Sequence, residues 1–192
     1  FPVAVGGDAH IFPTAAFNGS NYLLVWDDVT DSGMCTIRAA RVSPAGQVLD
    51  TGDAICTALS AWMPVVASNG TDWLVAWYDW RRGDNPAVYA ARITAAGQVL
   101  DSGGFVVADA DDGEALPALA SDGTNYLAVW ADNRHASSNG WDICAMRLDM
   151  NGTPLHSSPI WICTATNRQA DPAAATPLPG SASWPAARRS CT

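Results

Sequence analysis

Three tryptophans, Trp62, Trp80 and Trp141, fall on variable loops outside the runs that recur along the chain, and Arg81, Arg82, Asp84 and Asn133 lie close to them in sequence. An indole beside guanidinium, carboxylate and amide groups suits a sugar ring, whose apolar face stacks while its hydroxyls take directed hydrogen bonds. The competing use of such tryptophans is structural, as covers for sheet edges. Asp109, Asp111, Asp112 and Glu114 offer a second chemistry, since clustered carboxylate oxygens suit a hard cation such as Ca2+. Their spacing is not that of an EF-hand loop, so a solvated acidic loop is the plainer reading.

The other candidates are weaker. His10, His135 and His156 lack metal-ligand spacing, and the chain contains no GxSxG, HExxH or GxxxxGK string. A carboxylate pair for glycoside hydrolysis is defined by a separation that sequence does not show. Arg82-Gly83-Asp84 spells an adhesion tripeptide, but a string of three arises readily by chance. The glycosylation-type patterns at Asn18, Asn69 and Asn151 fall in turn sequences that already account for them.

Composition narrows the partners. In 192 residues, 48% hydrophobic content and 15% charged residues exclude a disordered acidic tail. A formal charge of −9 with only 10 basic residues opposes nucleic-acid binding, which needs clustered cations. No apolar run approaches the roughly 20 residues of a membrane span.

The elements that must position these residues come from an internal repeat. Pro13, Pro64, Pro117 and Pro172 follow one another at 51, 53 and 55 residues, a period that signals an array of one supersecondary unit. Each unit begins with a small, Pro-led run (Pro13 to Ala16, Pro64 to Ala67, Pro117 to Ala120) and a tight turn, Asn18-Gly19, Asn69-Gly70 or Asp122-Gly123. An aromatic and β-branched run follows (Tyr22 to Trp26, Trp73 to Trp77, Tyr126 to Trp130), ending in Trp-x-Asp at Asp28, Asp79 and Asp132. After a variable loop, a third run (Thr36 to Val42, Ala87 to Ile93, Asp142 to Leu148) carries Arg41, Arg92 and Arg147 at one position. A Gly turn then leads to a fourth run from Leu49, Leu100 and Leu155. Short runs between turn signals are strands, so the chain reads as all-β. The recurrence of the Asp and Arg positions predicts one ion pair or turn cap per unit, Asp28, Asp79 and Asp132 with Arg41, Arg92 and Arg147.

The shared string PxxAxxGxxYLxxWxD…R(V/I)…GxVLD, present three times between Pro13 and Cys163, resembles the blade repeat of secreted bacterial β-propeller proteins. The resemblance implies four-stranded antiparallel blades, with uniform turns on one face and variable loops on the other. The units are residues 13–63, 64–116 and 117–171. Residues 1–12 read as the fourth strand of an incomplete blade, and residues 172–192 as the first strand of another followed by an irregular tail. Three blades do not close a ring, since propellers carry about four to eight. Open edges therefore predict self-association, with a fragment of a longer array as the rival.

Cys35 and Cys56 flank one Gly turn, which predicts a disulfide, and Cys144 and Cys163 flank another less symmetrically; Cys191 is left over. Buried free thiols are the alternative. If paired, the cysteines place the chain in a secreted, extracellular or periplasmic setting. The functional expectation is a secreted module that recognises a glycan or cell-surface polymer on its variable-loop face through Trp62, Trp80, Arg81, Arg82, Asp84, Asn133 and Trp141. A self-assembling structural propeller without small ligand and a glycosidase-like propeller are the two alternatives.

Overall fold

The computed structural model describes residues 2–3, 9–50, 52–57, 60–83, 85–109, 114–134, 140–165, 169 and 172–175. Blade 1 consists of β1 (Ala9–Phe17), β2 (Tyr22–Val29), β3 (Cys35–Val42) and β4 (Asp53–Cys56). Blade 2 consists of β5 (Ala61–Ser68), β6 (Trp73–Asp79), β7 (Ala87–Ile93) and β8 (Phe105–Ala108). Blade 3 consists of β9 (Glu114–Ser121), β10 (Asn125–Asp132), β11 (Asp142–Asp149) and β12 (Ile160–Cys163). Each blade is a separate four-stranded sheet in sequence order, with every pairing antiparallel. The chain has a β-propeller-type fold, and no helix among the described residues is long and apolar enough to cross a membrane.

The uniform turns follow from side-chain chemistry. Asn18 Oδ1 accepts the N–H groups of Ser20 and Asn21 at 3.0 and 2.8 Å. Asn69 does the same for Thr71 and Asp72, and Asp122 for Thr124 and Asn125. The glycine after each, Gly19, Gly70 or Gly123, has φ of 93°, 93° or 86°, a region that an L side chain enters only with strain.

The blades pack face to face through alternate residues, as the period of two in a strand requires. Leu23, Val25, Ile37 and Ile55 of blade 1 meet Trp73, Val75 and Trp77 of blade 2 in one core. Leu74, Ala76, Val88 and Val107 on the other side of blade 2 meet Tyr126, Ala128 and Trp130 of blade 3 in a second.

Two expectations are corrected in detail. The fourth strand begins later than the Leu positions: Leu49, Leu100 and Leu155 are 40%, 45% and 43% exposed. Their N–H groups instead bond the carbonyls of Arg41, Arg92 and Arg147, each at 2.9 Å. The disulfides Cys35–Cys56 and Cys144–Cys163 do not form: Cys35, Cys56 and Cys144 are buried thiols outside any disulfide, and Cys163 is disulfide-bonded, but not to Cys144. Cys56 registers with Ile37, leaving Cys35 on a diagonal, about 7–8 Å away in such geometry and beyond comfortable disulfide reach. Cys163 registers with Ile143, so the neighbouring Cys144 projects to the opposite face of the sheet. Cys191 lies outside the described residues.

Candidate functional site

The Trp-x-Asp endings are built as joints. Asp79, with no side-chain exposure, accepts from Trp77 Nε1 at 3.0 Å, Ser60 Oγ at 3.1 Å, the Arg81 N–H at 2.8 Å and Arg81 Nη2 at 2.5 Å. Burial pushes its carboxyl up, but the bonds from Arg81 and Trp77 outweigh it and hold the group below the usual carboxylate range. Asp132 repeats the design with Trp130 Nε1 at 3.4 Å and the Arg134 guanidinium at 2.6 Å. The operative pattern is therefore Trp-x-Asp-x-Arg. Blade 1 has Thr30 where the other two have arginine: Asp28 turns to His10 and Arg38, and Trp26 Nε1 is buried without a hydrogen-bond partner.

This corrects the expected pairing of Asp28, Asp79 and Asp132 with Arg41, Arg92 and Arg147. Arg41 grips Asp50 through Nε at 2.8 Å and Nη2 at 2.9 Å, and Arg92 grips Asp101 at 2.7 and 2.8 Å. Both acids come from the VLD end of the motif, which lies on the uniform-turn side of the blade. Hydrogen bonds from their arginines hold Asp50 and Asp101 below the ordinary carboxylate range.

The residues singled out for ligand binding divide in consequence. Arg81 is turned inward: besides Asp79, it donates to the Gly103 carbonyl at 2.8 Å and lies 4.1 Å over the Tyr89 ring. Trp62 is half-buried on β5 and registers with Tyr78, and a side-chain hydrogen bond links Tyr78 to Trp80. Trp80 is 43% exposed, and its N–H bonds the Ser60 carbonyl at 3.1 Å, which ties the loop to the connection between blades 1 and 2. Arg82 forms an ion pair with Asp109, the two side chains being 50% and 37% exposed. Trp62, Tyr78, Trp80, Arg82 and Asp109 thus belong to the variable-loop end of blade 2. Asn133 and Trp141 belong to the corresponding end of blade 3, both half-buried, and the Trp141 carbonyl accepts from the Gln169 N–H at 2.7 Å. Asp84 lies outside the described residues, as do Asp111 and Asp112 of the acidic cluster.

A second concavity was not anticipated. Phe12, Met63 and Leu116, each directly before the repeated proline, have φ of 51°, 52° and 53°. Pairing in β1 and β5 skips from Ile11 to Thr14 and from Trp62 to Val65, so the residue–proline pair bulges out of the innermost strand, where a missing N–H does no harm. The Met63 N–H freed by its bulge bonds Asp27 Oδ2 at 3.0 Å. The three bulges and Pro172 line an apolar pocket of about 330 Å³, together with Thr14 and Val65. The sequence signal for it is the residue before each repeated proline.

Behind Met63, the Asp27 side chain is buried and its Oδ1 has no hydrogen-bond partner. Burial pushes its pKa up to about 6, against the bonds from the Met63 N–H and the Cys35 thiol. Burial and the Asp27 charge in turn raise Cys35 to about 12. Asp27 is peculiar to blade 1, since the equivalent residues are Tyr78 and Ala131.

No protein-family model and no curated protein matches this sequence. Among solved structures, the chain is similar to a glycosyl hydrolase from Bacteroides ovatus, with TM-score 0.51 and 10% identity over 82% of this chain and 52% of that one. It is similar to the subtype N11 neuraminidase-like protein of A/flat-faced bat/Peru/033/2010 (H18N11), with TM-score 0.52 and 11% identity over 80% of this chain and 39% of that one. A Penicillium chrysogenum α-L-arabinanase, solved with arabinobiose, gives TM-score 0.51 and 12% identity over 73% and 44%. The chain spans about half the length of these proteins or less, and what it shares with them is the fold.

Proposed function

We propose that this chain is a secreted carbohydrate-recognition module that binds a glycan at the variable-loop end of blade 2, with Trp80 and Trp62 as stacking surfaces and Arg82 and Asp109 as the polar rim. The observation that carries this reading is the exposure of Trp80. Trp73, Trp77 and Trp130 are buried in the joints with 0% exposure, whereas Trp80 keeps 43% beside an exposed ion pair. Two of the structural neighbours are a glycosyl hydrolase and an arabinanase bound to arabinobiose, which supports a carbohydrate ligand. Binding is preferred to hydrolysis because the recurrent acids Asp79 and Asp132 are already engaged by arginine and tryptophan. Self-association through the open ends of the array accompanies this reading, and Asn133 and Trp141 extend the surface onto blade 3.

The test is titration calorimetry against the best hit from a glycan array. Trp80→Ala is expected to weaken binding at least about tenfold, which is ~1.4 kcal/mol, while Leu100→Ala on the uniform-turn side changes nothing. Absence of any glycan hit, or unchanged affinity in the Trp80 variant, defeats the proposal.

A further inference from the structure

We propose that the two open faces of the three-blade array are complementary halves of one joint, and that a second copy of this chain fills them head to tail, giving a closed ring. This rests on the self-association reading and specifies its surfaces and polarity.

The chain makes the same joint twice internally, so the covering of each face is visible on the page. Strand register makes Ile55, Val107 and Ile162 equivalent, each preceding the residue that pairs with Ile37, Val88 or Ile143. The first two are 1% and 7% exposed under the next blade, while Ile162 is 44% exposed. On the opposite side of each blade, Trp73, Tyr126 and Tyr22 are equivalent, pairing with Ser68, Ser121 and Phe17. Trp73 and Tyr126 are 0% and 2% exposed, but Tyr22 is 43% and its neighbour Phe17 is 45%. Blade 3 therefore presents the aliphatic half of the joint, and blade 1 presents the aromatic half that covers it.

A polar group marks the same face. Arg41 donates through Nη1 to the Ala95 carbonyl in the turn of the following blade, at 2.8 Å, while its own Asp50 holds the rest of the guanidinium. In blade 3 the acid is replaced by His156, and Arg147 Nε and His156 Nε2 are buried without hydrogen-bond partners. A docked blade 1 brings the carbonyl of Pro44, the equivalent of Ala95, to Arg147. Residues 172–175 lie along the face of blade 3 without forming a strand and leave a cavity of about 350 Å³ beside Leu127, Val129, Ile143, Ala145 and Ile162. The internal joints are filled mainly by second- and third-strand side chains, which this segment does not supply, so an incoming blade takes its place. The described residues of two copies supply six blades, within the roughly four to eight with which propellers close, and a head-to-tail contact forms a ring when its rotation closes.

Light scattering on the purified chain tests this, with Tyr22→Lys and Ile162→Lys as variants whose exposed positions leave the fold intact, as checked by circular dichroism. The expected mass is twice 20.1 kDa. Each variant should raise the dissociation midpoint by about a hundredfold or more, because a lysine enters a desolvated joint. An equimolar mixture of the two variants should recover the dimer through the one joint that carries neither lysine. A monomer at every concentration overturns both the ring and self-association. A dimer sensitive to Ile162→Lys but not to Tyr22→Lys means that like faces pair, which overturns this proposal alone, as does growth beyond the dimer.

Discussion

Replacing Asp79 by alanine removes one carboxylate on which five donors converge, from Trp77, Ser60, the Cys56 thiol and, twice, Arg81. Trp77 is 0% exposed, so its orphaned N–H costs about 1–3 kcal/mol. Losing one partner of a buried pair costs about 3–5 kcal/mol. The Arg81 side chain, however, is 27% exposed and keeps the Gly103 carbonyl and the Tyr89 ring, which places the loss at the lower end. Because the groups share one network these costs overlap rather than add, and the expected loss is about 4 kcal/mol. The double variant Asp79→Leu/Arg81→Met leaves no stranded guanidinium and should lose less than half as much. Asp28→Ala should lose about 1–2 kcal/mol, since its partner Arg38 is 40% exposed and Trp26 Nε1 already lacks a partner. Urea titrations at pH 7 followed by tryptophan fluorescence, with the slope checked for constancy, measure all three. Because the Asp79 pKa is held down in the fold, the stability it contributes is present above its unfolded pKa and is lost as pH falls through the folded value. A loss below about 1 kcal/mol for Asp79→Ala, or a double variant as damaged as the single, refutes the joint as described.

Two other outcomes follow from the geometry. Burial pushes the Asp27 pKa up to about 6, well above the ordinary carboxylate value, so native stability falls as pH rises from about 4 to 6 and the penalty is complete above it. Asp27→Asn should therefore stabilise the protein at pH 7.5 by about 1–3 kcal/mol and by little at pH 4, and equal effects at both pH values in denaturant titrations would count against a buried acid. Gly104 has φ of 82°, and a Cβ there would stand 2.5 Å from the Trp77 ring, whereas Gly70 at 93° faces open space. Thermal and urea unfolding should show Gly104→Ala losing about 2–5 kcal/mol and Gly70→Ala about 1–2 kcal/mol; equal losses would show that backbone strain alone matters.

Much of the scaffold was legible because its determinants are local. The Asn-Gly and Asp-Gly turns carry their own side-chain acceptors and positive φ. The alternation in Trp73-Leu74-Val75-Ala76-Trp77 gives two apolar faces, as a strand buried on both sides needs. The third strand of blade 2 runs from Ala87 to Ile93, the span expected from the residues alone. Of the candidate site, the placing of Trp80 and Arg82 at one blade end followed from their loop positions, whereas Trp62, expected on a loop, lies within β5.

The repeat, the strand order and the turns were thus determined by the sequence itself, because each depends on residues only a few positions apart. Tertiary structure decided the partners. A bulge in the outer pairing sets the register of β4 and β12 and so kept Cys35 from Cys56 and Cys144 from Cys163. Arg81 lies two residues beyond Asp79 and was read as a ligand group, but a buried carboxylate across the joint from Cys56 recruited it. The same long-range packing leaves Tyr22 and Ile162 exposed while burying their equivalents. These outcomes depend on what the neighbouring blade places against each residue, and that is not contained in any one repeat.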